Sequence, residues 1–378
     1  MKRNIGLYIH VPFCAAKCFY CDFNSFADRN QLIEPYFKAL ESEIESYSSK
    51  LKEFEVETVF IGGGTPSSVE AEYIVKVINT LKNSYNIKEN AEISMETNPG
   101  TLSQQKLNLY KKIGINRLSI GLQAWQNNLL KSIGRIHSID EFVDNFNMAR
   151  KIGFDNINVD LIFSLPGQTK VDWVETLKNV ANLSPEHISC YSLKIEEGTI
   201  FGEKLKSGQI NETEDELDRE MYYYAIETLG KYGYDLYEIS NFSKPGKECR
   251  HNLIYWNINE YLGFGSGAHS YFKGNRFNNT CDLHDYINKL SHEISAAGSV
   301  ISIDKEESMV EYIILGLRLS KGICSIEFES KYGMSLYQKF GDKFKNLNKN
   351  GLVYFDNSSI KLTNKGRDLA NQVFIEFI

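Results

Sequence analysis

From residue 5 to about 195 the chain alternates short apolar runs with longer stretches whose apolar positions recur every three or four residues. The runs IGLYIHVPF, VETVFIGGG, AEISMETNP, RLSIGLQ, NINVDLIFSLP and HISCYSLKI read as six strands. The periodicity over 31–50, 68–84 and 103–113 predicts helices between the first four. Strands separated by helices predict parallel β/α units with both faces of the sheet covered. In such units the reactive groups gather where the strands end.

Beyond about 205 the alternation weakens. ETEDELDREMYYYAIETLGKYGYD predicts one helix, followed by a loop-rich stretch through KPGKECRHNLIYWNINEYLGFGSGAHSYF. Residues 283–297, 304–320 and 325–350 read as helical, and GLVYF with IKLT reads as a short strand pair before a helix after Thr363. The predicted organisation is a partial barrel over 1–205, a linker carrying a His-Asn motif over 206–300, and a helical, winged-helix-like module over 301–378.

The charge balance changes the functional picture. A formal charge of −7 over 378 residues gives no basic field for a polynucleotide, so no nucleic acid partner is expected, and the terminal module reads as a packing or docking unit. Seven cysteines, an odd number, do not form a secreted disulfide framework. Lys2 and Arg3 precede an apolar run, but the run contains His10 and lacks a small-residue cleavage pattern. No run approaches the ~18 apolar residues of a transmembrane helix. A cytoplasmic protein is expected, with peripheral contact to a membrane left open.

The candidate chemistry begins at Cys14, Cys18 and Cys21 in YIHVPFCAAKCFYCDF. A Cys-x3-Cys-x2-Cys loop offers three thiolates to a four-iron cubane and leaves the fourth iron free for a small molecule. The competing reading is a zinc site completed by His10. Gly62, Gly63 and Gly64 before Thr65-Pro66 let backbone approach a ligand closely, although a glycine triplet alone is most often a turn. Glu96 and Asp160 can accept hydrogen bonds from an amino group or from ribose hydroxyls, and Arg135 can pair with a carboxylate. Taken singly, each of these also fits an ordinary structural role.

YIHVPFC, the three-cysteine loop, FIGGGTP, ISMETNP, SIGLQ, VDLIFSLPGQT and the late HNLIYW together resemble the radical S-adenosylmethionine superfamily. Within it the chain is similar, over essentially its whole length, to the oxygen-independent coproporphyrinogen III oxidase family. The resemblance implies an open six-unit (β/α) barrel holding a 4Fe-4S cluster on Cys14, Cys18 and Cys21. It implies S-adenosylmethionine bound through the open iron and lined by Tyr8, Gly63, Thr65, Glu96, Gln123, Arg135 and Asp160. In that superfamily one electron cleaves the sulfonium to a 5′-deoxyadenosyl radical.

The oxidase branch carries a further cysteine two positions beyond the third, where this chain has Phe23. That departure and the His251-Asn252-x-x-Tyr255-Trp256 motif point to the heme-chaperone branch. A neutral imidazole can ligate heme iron and planar aromatics can pack on the macrocycle. The implied heme site therefore has His251 as its leading ligand, with Tyr255 and Trp256 lining it and Cys249 as a competing ligand. The implied partners are heme and an acceptor heme protein of the membrane-associated respiratory type. Two alternatives remain: a coproporphyrinogen III oxidase, and a zinc-stabilised interaction protein.

Overall fold

Six strands bear out the alternation read from the apolar runs. In the computed structural model, which describes residues 2–356 and 358–378, they are β1 (Arg3–Val11), β2 (Phe54–Gly63), β3 (Ile87–Thr97), β4 (Arg117–Gln123), β5 (Ile157–Phe163) and β6 (His187–Ser192). They pair in chain order and all run parallel. Helices Ile33–Ser46, Ala71–Ser84, Gln104–Lys112, Ile139–Ile152 and Lys170–Asn182 form the crossovers. Helix entry follows local chemistry: the Ser138 and Thr169 side chains accept from the backbone of Glu141 and Asp172, whose carboxylates reach back to complete capping boxes.

Period-2 alternation divides every strand between two environments. On β1 the residues Ile5, Leu7, Ile9 and Val11 are fully buried on the face that meets the helices, as are Leu118, Ile120 and Leu122 on β4. The positions between them point into the barrel and are mostly polar: Glu92, Ser94 and Glu96 on β3, Arg117, Ser119 and Gln123 on β4, Asn158 and Asp160 on β5. The parallel register sets these groups side by side, with Glu96 opposite Ser119 and Gly121 opposite Asp160.

The stretch 206–300, expected as a linker, extends the sheet on both edges. After the helix Asp215–Lys231 come β7 (Asp235–Glu238) and β8 (Asn241–Ser243); β8 pairs antiparallel to β6, and β7 pairs antiparallel to β8 at the edge. The His-Asn motif forms a short helix, Arg250–Trp256. Next, β9 (Tyr261–Phe264) pairs parallel to β1, and β10 (His269–Phe272), β11 (Asn275–Asn278) and β12 (Ile301–Ser302) continue outward as an antiparallel meander. The twelve strands form one open sheet in which β1 and β6 do not pair. Glu43, buried on the helix Ile33–Ser46, ties in the added strands by accepting from Gly265 N (2.8 Å), Asn279 Nδ2 (2.7 Å) and Tyr286 OH (2.6 Å).

The C-terminal module has its own core around Met309, Ile313, Phe328, Phe340, Phe344 and Val373. Three antiparallel strands, β13 (Ile323–Cys324), β14 (Val353–Phe355) and β15 (Ser359–Leu362), form its sheet in the order β13-β15-β14. The single helix expected over 325–350 is two, Ser325–Tyr332 and Leu336–Lys349. Gly333 takes φ +67° and ends the first, because a left-handed residue cannot continue an α-helix. No helix among the described residues is long and apolar enough to cross a membrane.

Candidate functional site

The C-terminal ends of the six strands open into a cavity of ≈ 360 Å³, within the size range of small-molecule sites. Cys14, Cys18 and Cys21, on the loop after β1, line one side. Gly63, Thr65, Glu96, Gln123, Arg135 and Asp160 line the rest, so six of the seven residues assigned to S-adenosylmethionine share one space with the three thiols. The seventh differs. Tyr8 lies outside the lining, stacked on Phe60 at 6.3 Å, with its hydroxyl donating to His10 Nδ1 (3.0 Å).

His10 is committed on both sides, since its Nε2 meets Asn24 O at 2.8 Å. A carbonyl only accepts, so Nε2 carries the proton and Nδ1 accepts from Tyr8. Burial lowers the imidazole pKa and keeps the ring neutral. The zinc alternative needed this ring as its fourth ligand, and the ring has no free lone pair. Among the described residues no three His, Cys, Asp or Glu side chains converge to hold a single metal ion.

A cubane asks for something different: spaced thiolates around one cavity and donors aimed at the sulfurs. Those donors are present. Thr65 Oγ1 donates to Cys14 Sγ at 3.6 Å and Arg135 Nη1 to Cys18 Sγ at 3.6 Å. Asn98 holds both donors at once, giving its Nδ2 to Thr65 Oγ1 (2.8 Å) and accepting Arg135 Nη2 at its Oδ1 (2.7 Å). Arg135 also donates to the Gly121 carbonyl. Burial raises the Cys14 and Cys21 thiols above their ordinary range, so a metal has to displace their protons on binding. The residues present fit a cluster.

Gly63 adopts φ +115°, and a Cβ there would lie 2.6 Å from the His10 ring. Its N–H donates to Glu96 Oε2 at 3.0 Å. Burial first, and then the nearby Asp160 carboxylate, push the Glu96 carboxyl up to about 7. Gln123, at the end of β4, holds φ +75° with its side chain in the cavity wall. A non-glycine residue in that region costs on the order of 1–3 kcal/mol, which is typical of ligand sites.

The heme-linked residues lie elsewhere. His251 is 1 % exposed and stacks on Phe60 at 5.3 Å, inside the barrel at its lower end. Its Nδ1 meets Thr58 Oγ1 at 2.8 Å, its Nε2 meets Tyr255 OH at 2.8 Å, and its backbone N–H donates to Glu92. Burial, with Arg117 nearby, lowers its pKa to about 3. Both nitrogens are occupied, so in this conformation neither His251 nor Tyr255 presents an atom to a heme iron. Trp256 packs under the Arg318 guanidinium at 4.9 Å, and Cys249 is fully buried.

Asn98, Ser119 and Tyr191 are among the cavity residues not anticipated. Asn98 follows Glu96 by two positions in ISMETNP, and Ser119 shares the inward alternation of Arg117, Gly121 and Gln123, so both carried a readable signal. Tyr191 did not. It lines the cavity with Phe23 and Leu193, beside the charged Asp22, Lys194 and Glu196, and at 41 % exposed for Tyr191 and 65 % for Phe23 two aromatic side chains reach solvent at the opening.

Comparison with known proteins identifies the chain's relatives. Residues 8–180 match the radical SAM superfamily and 303–369 the HemN C-terminal domain. The heme chaperone HemW of Bacillus subtilis is 38 % identical over 98 % of this chain and 98 % of its own. That of Lactococcus lactis is 34 % identical over 100 % of this chain and 98 % of its own. The solved coproporphyrinogen III oxidase HemN of Escherichia coli superposes with a TM-score of 0.88 at 25 % identity, covering 100 % of this chain and 90 % of that one.

Two outcomes test the geometry. Asn98→Ala releases the donors held on Cys14 and Cys18, so the reconstituted variant should keep its fold by circular dichroism but lose iron to a chelator about tenfold faster than wild type. A protonated Glu96 cannot pair with an ammonium. S-adenosylmethionine affinity, measured by equilibrium dialysis, should therefore fall about tenfold between pH 8 and pH 6, and Glu96→Gln should flatten that dependence.

Proposed function

We infer the function from one premise: the chain belongs to the HemW family of radical S-adenosylmethionine proteins. On that premise it is a heme chaperone, holding a 4Fe-4S cluster and S-adenosylmethionine in the upper cavity and passing heme to an acceptor, which we take to be a respiratory heme protein. The observation that carries this reading is the convergence of Cys14, Cys18 and Cys21 with Glu96 and Asp160 on one cavity. When bound, the cluster supplies one-electron chemistry to a sulfonium. The chain's own residues then have distinct tasks. Thr65 and Arg135 steady two thiolates, Glu96 accepts from the amino group, and Asp160 accepts from ribose hydroxyls.

The chaperone reading is favoured over the oxidase by position 23. The oxidase branch carries a thiol there, and Phe23 instead presents an exposed ring at the rim. With Tyr191 and Leu193 on the same cavity lining, it supplies apolar surface on which a macrocycle can pack. The rim supports heme binding better than the buried His251, which would first have to break two hydrogen bonds and leave the barrel.

Two experiments test the proposal. Replacing Cys14, Cys18 or Cys21 by Ala should abolish the iron–sulfur spectrum of anaerobically reconstituted protein, whereas Cys324→Ala should retain it. An unchanged spectrum in all three variants would remove the cluster assignment. In the second, heme is titrated into wild type, Phe23→Ala and His251→Ala while coproporphyrinogen III conversion is assayed in parallel. Heme binding without conversion is expected, with release faster by about fivefold or more in Phe23→Ala. Faster release in His251→Ala alone would return the handle to the helix, and robust vinyl-group formation would establish the oxidase.

A further inference from the structure

Asp160 is reached from below by an unbroken chain of side chains, and the hydrogen-bond directions along it are fixed by elimination. A carboxylate without a proton only accepts. Asn158 meets Asp160 Oδ1 at 2.8 Å and Ser119 Oγ at 2.6 Å, so its amide nitrogen faces them, and Ser119 Oγ in turn donates to Asp160 Oδ2 at 2.7 Å. Asn158 Oδ1 must then face away. It receives Ser189 Oγ at 3.2 Å and His187 Nδ1 at 2.6 Å, which places the imidazole proton on Nδ1. His187 Nε2 is left as an acceptor, and its partner at 2.9 Å is the Tyr237 hydroxyl, which therefore donates. The Tyr237 oxygen accepts the Cys249 backbone N–H over a long 3.4 Å.

Every donor in this chain points toward the cavity. His187 is 1 % exposed and Asn158 2 %, so neither has water to fall back on. Burial, together with the Arg117 guanidinium, keeps His187 neutral, which holds it to one proton and one lone pair. Cys249 immediately precedes the helix carrying the His-Asn motif, so the chain spans the barrel from that segment to the cavity.

We propose that Asn158, His187 and Tyr237 are positioning residues for Asp160, a one-way donor chain that aims its carboxylate at bound S-adenosylmethionine. The inference rests on the assignment of Asp160 to that ligand. Neither His187 nor Tyr237 lines the cavity, so each acts through Asn158, which holds Asp160 directly and through Ser119. A side chain at 187 that can still donate to Asn158 preserves the orientation, and one that cannot lets the Asn158 amide turn over.

The test measures S-adenosylmethionine affinity of the full, cluster-reconstituted chain by anaerobic equilibrium dialysis, normalised to iron content. Asp160→Asn comes first, because unchanged affinity there overturns both the ligand assignment and the relay. If Asp160→Asn weakens binding, His187→Leu should weaken it by about tenfold, while His187→Gln, which keeps a donor, should stay within about twofold of wild type. Tyr237→Phe keeps the ring and removes only the hydroxyl. It should weaken binding by about threefold and carries the test alone if His187→Leu does not fold. In the Asp160→Asn background the further changes at 187 and 237 should cost nothing more. Normal affinity in folded His187→Leu and Tyr237→Phe, or losses that simply multiply with that of Asp160→Asn, would overturn the relay and leave the assignment of Asp160 standing.

Discussion

Below the open upper end of the barrel, the inward-facing polar groups on the six parallel strands are shut off from bulk water and need partners, which most of them have, the Arg117 Nε excepted. An unpaired amide or hydroxyl there costs about 1–3 kcal/mol and an unpaired charge more. Glu92 shows how the constraint is met. It accepts from the Arg250 and His251 backbone N–H groups and from Ser94 Oγ, so one carboxylate secures the start of a helix some 160 residues away in sequence. The added segment is held to the barrel by this kind of bond as much as by apolar packing.

The same constraint separates the two ends of the barrel. At the upper end the strands stop, water enters and side chains are left free to meet a ligand: Glu96 has one backbone donor and Gln123 holds a strained backbone. At the lower end the helix Arg250–Trp256 fills the space, and His251 spends both nitrogens on Thr58 and Tyr255. Chemistry therefore belongs to one end and closure to the other. Residues that look equally reactive in a sequence differ here by whether their lone pairs are already used.

This also explains what was legible beforehand. Apolar residues facing the helices impose a strict period on β1 to β6, so those strands were readable within a few residues, and the cysteine spacing identified the cavity loop. Strands β7 to β12 are two to four residues long, too short to establish a period, and most owe their existence to a neighbouring edge that accepts them. Tyr8 faces inward as alternation implies, but it does not line the cavity, and its hydroxyl pairs with His10, a pairing two residues apart that alternation cannot reveal. Asn98 was missed for the opposite reason. Its importance comes from bridging Thr65 and Arg135, residues that approach each other only once β2, β3 and the loop after β4 are assembled.

Asn98 and Phe23 divide the site by function. Thr65 and Arg135 donate to sulfurs and Asn98 holds both donors, so these three act on the cysteine loop itself. Phe23 meets the cysteine loop only through its backbone, which hydrogen-bonds Cys21, while its side chain is exposed. It stands at the rim, two residues past Cys21, where a thiol could join electron or proton transfer and a phenyl ring cannot. On the proposed chaperone reading, exchanging a reactive rim group for an apolar ring changes what the opening can hold, favouring the packing of a finished macrocycle over conversion of its precursor. On the same reading one scaffold can support both a chaperone and an oxidase, the two branches differing at position 23 at the mouth and at the His251-Asn252-x-x-Tyr255-Trp256 helix below it.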